Sequence, residues 1–333
     1  MYKFLKGVWI DCIREYTRRD GIMKYQNTAL VVEGGGLRGS YSGGILDILA
    51  DKEIKFGGAA GTSAGATHLC SFLSGQIERN FRIDTIISKS HRYMGLGNLL
   101  FTGDYFAFDY CYKQVPYKID PFDFDKFTEQ CQETEFRVCM TDVETGRAVY
   151  PRIMDYRNED EMNYIRASAS LPILSKIVEI HGKKYLDGGV ADSIPFEAMF
   201  KKGFERAVVI LTRPLGYRKK INKALPLVKF AFRHYPKFVE AVATRHIRYN
   251  RALDKLAKLE AEGKVFIFRP SRLIKISDIE KNKKKIAKLY ELGKEDAHAK
   301  MPELLKFLEG EVRRENEPSI IQTRETVIMR SIP

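Results

Sequence analysis

The stretch FGGAAGTSAGATHLCSFLSG, residues 56–75, constrains this chain more than any other. At its centre lies Gly61-Thr62-Ser63-Ala64-Gly65, a G-x-S-x-G pentapeptide. Ahead of it, Phe56 to Ala60 is short, apolar and Gly-rich; behind it, Ala66, Leu69, Cys70 and Leu73 fall on one helical face. The pattern predicts a strand that turns sharply at Ser63 into a helix ending near Gly75. Such a turn exposes the serine hydroxyl, and the helix N-terminus sets partial positive charge beside it. The competing reading is a small-residue turn with a serine N-cap.

Upstream, Thr28 to Val32 (TALVV) reads as a strand running into Glu33-Gly34-Gly35-Gly36-Leu37-Arg38-Gly39, followed by a helix face of Ile45, Ile48 and Leu49. Strand, Gly-rich loop, helix and the Phe56 strand make a βαβ unit, so the two strands are expected to be parallel neighbours. Loop and serine then share the C-terminal edge of the sheet, where open α/β sheets carry their sites. Read as acyl transfer, the amides of residues 34–39 and of Ala64 form an oxyanion hole for a Ser63 nucleophile. A phosphate cradle is the rival reading, but the loop lacks G-x-x-x-x-G-K-[ST]. A base is not evident among the six histidines (68, 91, 181, 234, 246, 298), none of which sits in a supporting motif.

The remaining chain continues the α/β pattern. An aromatic-rich region with Phe101, Tyr105, Phe106, Phe108, Tyr110 and Tyr112 is either an acyl pocket or ordinary core. Glu135 to Thr141 reads as a strand pairing with Arg147 to Tyr150, and Asn158-x-x-Glu161 as a capping box opening a helix to about Ala167. Ile177 to Ile180 and Lys184 to Leu186 read as a hairpin that delivers Asp187-Gly188-Gly189. A further helix is expected from Pro195 to about Gly203, and Ala207 to Leu211 and Lys264 to Phe268 as strands.

Three motifs now stand in order: Gly34-Gly35-Gly36-Leu37-Arg38-Gly39, Gly61-Thr62-Ser63-Ala64-Gly65 and Asp187-Gly188-Gly189, the last preceded by Ala167-Ser168-Ala169-Ser170-Leu171-Pro172. Over about residues 28–212 the chain resembles the patatin-like phospholipases. That resemblance implies a three-layer α/β/α fold with a mainly parallel sheet, hydrolysis of lipid acyl esters, and a Ser-Asp dyad without metal or other cofactor. Carried over, Ser63 is the nucleophile, Asp187 the base, and Gly34, Gly35, Gly36, Leu37, Arg38 and Gly39 the oxyanion loop. Gly61, Gly65, Gly188 and Gly189 complete the motifs, and Ser193 stands where many members carry Asn.

The expected organisation is an N-terminal helical segment (1–27), a catalytic domain (28–212), a basic, mostly helical extension (213–312) and a polar tail (313–333). Residues 218–270 carry 14 Lys/Arg against 4 Asp/Glu, within a net charge of +13. This excess favours an anionic partner, read as the surface of an anionic membrane rather than nucleic acid. Five cysteines without a C-x-x-C pair argue against a disulfide framework or zinc site. No apolar run reaches membrane-span length and the N-terminus lacks a signal-peptide core, so the expectation is a cytoplasmic protein, peripheral at the inner membrane surface. The alternative reading is a lipid- or nucleic-acid-binding protein with a silent hydrolase site.

Overall fold

From Ala29 to Val32 every side chain is fully buried, and successive ones enter opposite cores: Leu30 and Val32 one, Ala29 and Val31 the other. A strand buried on both faces demands helices on both, and the computed structural model, which describes residues 23–90 and 92–315, has that arrangement. Its strands are β1 (Met23–Val32), β2 (Ile54–Thr62), β3 (Glu135–Asp142), β4 (Ala148–Val149), β5 (Arg152–Ile153), β6 (Val178–Ile180), β7 (Lys183–Asp187), β8 (Arg206–Ile210) and β9 (Val265–Phe268). Its α-helices are α1 (Ser40–Asp51), α2 (Ala64–Leu73), α3 (Arg79–Thr85), α4 (Leu96–Thr102), α5 (Phe124–Glu133), α6 (Glu159–Ser168), α7 (Phe196–Phe200), α8 (Leu225–Ala231), α9 (Pro236–Ala261) and α10 (Lys283–Glu315).

Among the described residues the strands form one sheet, with parallel neighbours in the order β3-β2-β1-β8-β9 and the β6-β7 hairpin antiparallel beyond β3. Side chains of α1, α2, α5, α6 and α10 build one core, and those of α7 and α9 the other, so the fold has three layers, α/β/α. The chain steps outward from β1 to β2 to β3, then returns to the far side of β1 through β8. The strand order therefore reverses at β1, and the C-terminal ends of β1, β2 and β8 frame a crevice there.

The register of β3 matters most for the site. β5 and β4 pair antiparallel with residues 136–137 and 140–141 in a single continuous register, which occupies one edge of β3. β2 pairs parallel with residues 135–139 and β7 antiparallel with residues 140–142. A strand has two edges, so β2 and β7 share the other, end to end. Thr62 lies opposite Cys139 and Asp187 opposite Met140.

Two expectations are corrected. β1 begins at Met23, so residues 23–27 belong to the sheet and not to an N-terminal helical segment; residues 1–22 and the tail beyond residue 315 lie outside the described residues. The region from residue 213 is mostly helical but is no appendage. β9 extends the sheet beside β8, and α10 lies against α1. Tyr41 at the start of α1 donates to Asp296 of α10 at 2.9 Å, and Tyr290 of α10 donates to Asp47 at 2.6 Å. The helices touch backbone to backbone where they cross. A Cβ on Gly44 would lie 2.1 Å from the Tyr290 carbonyl, and one on Gly293 would lie 2.1 Å from that of Tyr41.

In an exposed helix a Gly→Ala change gains about 1 kcal/mol from propensity. At this crossing the methyl meets backbone that no side-chain rotation can clear. Gly44→Ala is therefore expected to destabilise the fold by about 1–3 kcal/mol, read as a lower urea midpoint at unchanged m value.

Candidate active site

Ser63 directly follows β2 with φ 54° and ψ −125°, a conformation that costs a residue with a Cβ about 1–3 kcal/mol. It precedes α2 at the N-cap position, yet its side chain makes no capping hydrogen bond, so the N-cap reading does not hold and the hydroxyl is not spent on the helix. The flanking glycines permit the turn by close approach. A Cβ on Gly61 would sit 2.6 Å from the Ala66 nitrogen, and one on Gly65 2.4 Å from the Val32 carbonyl oxygen. The turn is pinned from behind by Ser168 at the end of α6. Its hydroxyl accepts from the Ser63 amide at 2.9 Å and donates to the Cys139 carbonyl at 2.6 Å.

Asp187 ends β7 and is 3 % exposed. Its Oδ1 accepts from the Gly189 amide at 2.7 Å, and Thr141 donates to its carbonyl at 2.8 Å. Burial pushes the carboxyl above the ordinary value, while the Ser63 hydroxyl, Arg245, the Gly189 amide and Lys219 each favour the charged form. Oδ2 has no well-formed partner among the described residues. The Ser63 hydroxyl and the Asp187 carboxylate are therefore neighbours at the meeting ends of β2 and β7.

The Gly-rich loop follows β1. Its base is fixed by Glu33, a buried carboxylate that accepts from Thr212 N at 2.6 Å, Thr212 Oγ1 at 3.0 Å and Tyr249 OH at 2.6 Å, tying the ends of β1 and β8 to α9. The Gly34 amide donates to the Ser193 carbonyl at 3.1 Å, Leu37 to Asp278 at 3.0 Å and Arg38 to Gly35 at 3.2 Å. The amides of Gly35, Gly36 and Ala64 have no such partner among the described residues, and Gly36 and Ala64 line the same cavity as Ser63. Leu37 packs its side chain with Met94, Tyr105 and Ile286, and its amide is already committed. The Arg38 side chain is buried and paired with Asp278.

Ser193, where Asn was expected from the resemblance, links the two loops. Its hydroxyl donates to Gly189 O at 3.0 Å while its carbonyl holds Gly34. The neighbouring carboxyl of Asp192 is held by Tyr150 OH at 2.7 Å and the Ile194 amide at 3.0 Å, and burial raises its pKa.

A cavity opens from Ser63, Ala64, Gly36 and Leu37 into an apolar chamber. Of the aromatic residues singled out from the sequence, Phe106, Phe108 and Tyr112 line it. Phe101 is 91 % exposed instead, and Tyr105 packs with Leu37. His68 also lines the chamber, but its Nε2 pairs with Asp84 at 3.3 Å, and Asp84 also accepts from Ser40 at 2.5 Å. His181 is exposed beside Asp160, and His91 lies outside the described residues. No histidine is among the groups that chiefly act on Asp187.

Sequence reasoning missed Glu33, Lys219, Arg245 and Asp278. Burial, and next the charge of Arg245, pulls the Lys219 ammonium down to about 7. Only the position of Glu33, directly ahead of three glycines, carried a signal. The other three come from a region whose periodicity reads as helix and surface charge.

A family model described as patatin-like phospholipase matches residues 30–200, half of the chain, and one for a domain of unknown function (DUF6363) matches residues 235–309. The uncharacterized protein YjjU of Escherichia coli is 28% identical over 196 residues, covering 56% of this chain and 52% of its own length. Lysophospholipase NTE1 of Yarrowia lipolytica is 27% identical over 194 residues, 57% of this chain and 13% of that protein. The match thus spans about half, or much less, of these relatives. Among solved structures, VipD from Legionella pneumophila aligns with a TM-score of 0.43 at 10% identity, over 86% of this chain and 67% of that one.

A base must be ionised to accept a proton, so activity resting on Asp187 falls as pH drops through its raised pKa, above the ordinary carboxylate range. Arg245→Gln removes a neighbouring cation that favours the carboxylate. The acidic limb of the kcat–pH profile is expected to move to higher pH in that variant, checked by ester hydrolysis in buffers of constant ionic strength.

Proposed function

The chain belongs to the patatin-like phospholipase family, and on that premise we propose that it is a serine lipid acyl hydrolase, cleaving carboxylic esters through a Ser63–Asp187 dyad. One observation carries the reading: an uncapped serine hydroxyl, held in a strained turn, faces a buried carboxylate whose Oδ2 has no other partner. In water a carboxylate with a pKa of about 3.9 is a poor base for a serine. Desolvation narrows that gap by raising the Asp187 pKa.

Ser63 Oγ attacks the ester carbonyl carbon as its proton passes to Asp187 Oδ2. The oxyanion is received by the open amides of Gly35, Gly36 and Ala64, reinforced by the N-terminus of α2. Collapse expels the alcohol, which takes the proton from Asp187. Water, deprotonated by the same carboxylate, then releases the acid from the acyl-enzyme. The apolar chamber accommodates the acyl chain, so the substrate is a lipid ester.

Contact with an anionic membrane surface completes the proposal. Among the described residues no helix is long and apolar enough to cross a membrane. Leu96, Leu100 and Phe101 of α4 and Leu215, Ile221, Leu227 and Phe230 around α8 are exposed, the second group interleaved with exposed Arg218, Lys220, Lys223 and Lys229. Exposed apolar side chains among cations suit insertion at an anionic interface.

Ser63→Ala and Asp187→Asn are each expected to lower ester hydrolysis roughly a thousandfold or more with the melting temperature retained, and Ser63→Ala to abolish fluorophosphonate labelling. His68→Gln, the histidine change closest to the chamber, is expected to keep most of the activity. Loss in His68→Gln equal to that in Asp187→Asn, in a folded protein, would replace the dyad with a triad.

Binding to vesicles containing phosphatidylglycerol is expected to weaken as salt rises and to exceed binding to phosphatidylcholine vesicles. Salt-independent binding equal on both would remove the electrostatic contact.

A further inference from the structure

The segment 271–282, between β9 and α10, crosses the site at Asp278, which lines the Ser63 cavity together with Gly36 and Leu37. It engages three successive residues of the Gly-rich loop in three different ways. The Asp278 carbonyl accepts from the Leu37 amide at 3.0 Å. The Asp278 carboxylate pairs with the Arg38 guanidinium, whose side chain is 9% exposed. The Asp278 backbone also lies flat against Gly36, which has φ +53°; a Cβ there would fall 2.4 Å from the Asp278 carbonyl oxygen. The segment is anchored on either side of this contact. Ile276 packs with Leu37 and Ile286 in one cluster, and the Ser271 amide donates to Asp296 at 2.9 Å.

These contacts sort the amides of the loop. Glu33, Gly34, Leu37 and Arg38 have their N–H groups engaged, and Asp278 supplies the partner that takes Leu37 out of the set. The Gly35 and Gly36 amides have no such backbone partner among the described residues, and Gly36 lines the cavity with Ser63. A Gly-rich loop without this clamp has low-cost access to other backbone conformations, because glycine populates φ above and below zero alike. Oxyanion stabilisation demands the opposite, donors held within a few tenths of an ångström before the charge develops.

We propose that Asp278 is a positioning residue of the oxyanion hole, so that the segment ahead of α10 completes an active site whose serine, carboxylate and Gly-rich loop all precede residue 212. The inference rests on the hydrolase reading of Ser63. Asp278 acts through the loop and touches no reacting atom. Its loss therefore affects the transition state, where the oxyanion forms, more than substrate binding.

The test compares wild type, Asp278→Asn, Asp278→Ala and Asp278→Glu on p-nitrophenyl butyrate, with hydrogen exchange followed in a peptide covering residues 34–39. The Asp278 side chain is 52% exposed, so these variants are expected to fold. Asn and Ala are expected to lower kcat about tenfold to a hundredfold with KM within about twofold and an unchanged melting temperature. Glu is expected to recover a larger part of kcat, and the loop amides are expected to exchange faster in Asp278→Ala. Unchanged kcat and exchange would overturn the clamp. A raised kcat would overturn it too, making the segment an obstruction that Leu37 must shed. Wild-type protein that neither cleaves the ester nor labels at Ser63 would end the hydrolase reading instead, and the exchange rates would still decide on the clamp.

Discussion

The site depends on one strand sharing an edge between two partners that run in opposite directions. β2 reaches Cys139 of β3 travelling one way, and β7 reaches Met140 travelling the other. Their C-terminal ends therefore meet, and the residue after β2 is Ser63 while the last of β7 is Asp187. Neither loop has to find the other; the ladder of β3 brings them together, and its backbone also feeds the support. The Cys139 carbonyl holds the Ser168 hydroxyl that in turn holds the Ser63 amide, and Thr141 bonds the Asp187 carbonyl. A shift of β7 by one residue would turn the Asp187 side chain to the opposite face of the sheet.

That arrangement buries a carboxylate, and an unpaired buried charge is costly. The chain answers with two competing influences. Desolvation raises the Asp187 pKa, and the Ser63 hydroxyl, Arg245, the Gly189 amide and Lys219 favour its charged form. Glu33, buried nearby, receives three donors and serves as an anchor for the loop rather than as a reactive group. The two buried acids differ in their surroundings: the Glu33 carboxylate receives three hydrogen bonds, and Asp187 keeps an oxygen without a well-formed partner among the described residues.

Much of this was legible in sequence where the physics is local. G-x-S-x-G specifies its own turn, since only glycine fits where a Cβ would strike Ala66 or Val32. TALVV and AVVIL show continuous burial, and Asn158 caps α6 through Asp160 and Glu161, as its spacing indicates. The Glu161 side chain, however, turns to the amides of Met154 and Asp155 instead of completing the box. What could not be read depends on long-range pairing. β5 is a two-residue strand with no periodicity to detect, and the β3 register joins Ser63 to Asp187, positions more than a hundred residues apart in the chain. Asp278 lies in a stretch whose composition resembles any polar connection.

The charge of the C-terminal region shows the same division between composition and position. Counted along the chain, its cations read as a single basic surface. In the fold they separate. Lys219, Arg245 and Arg248 turn toward the dyad loop, where Arg248 donates to the carbonyls of Val190 and Ala191 at 2.9 and 3.1 Å, while Lys220, Lys223 and Lys229 stay in solvent. The inward group is screened little by salt because it is desolvated, whereas the outward group acts through water and weakens within a Debye length of about 8–10 Å at ordinary ionic strength. Under the proposed membrane contact, salt is therefore expected to loosen the protein from an anionic surface and to leave the electrostatics around Asp187 undisturbed. A region that composition marks as one basic patch thus divides into cations turned toward the site and cations left in solvent.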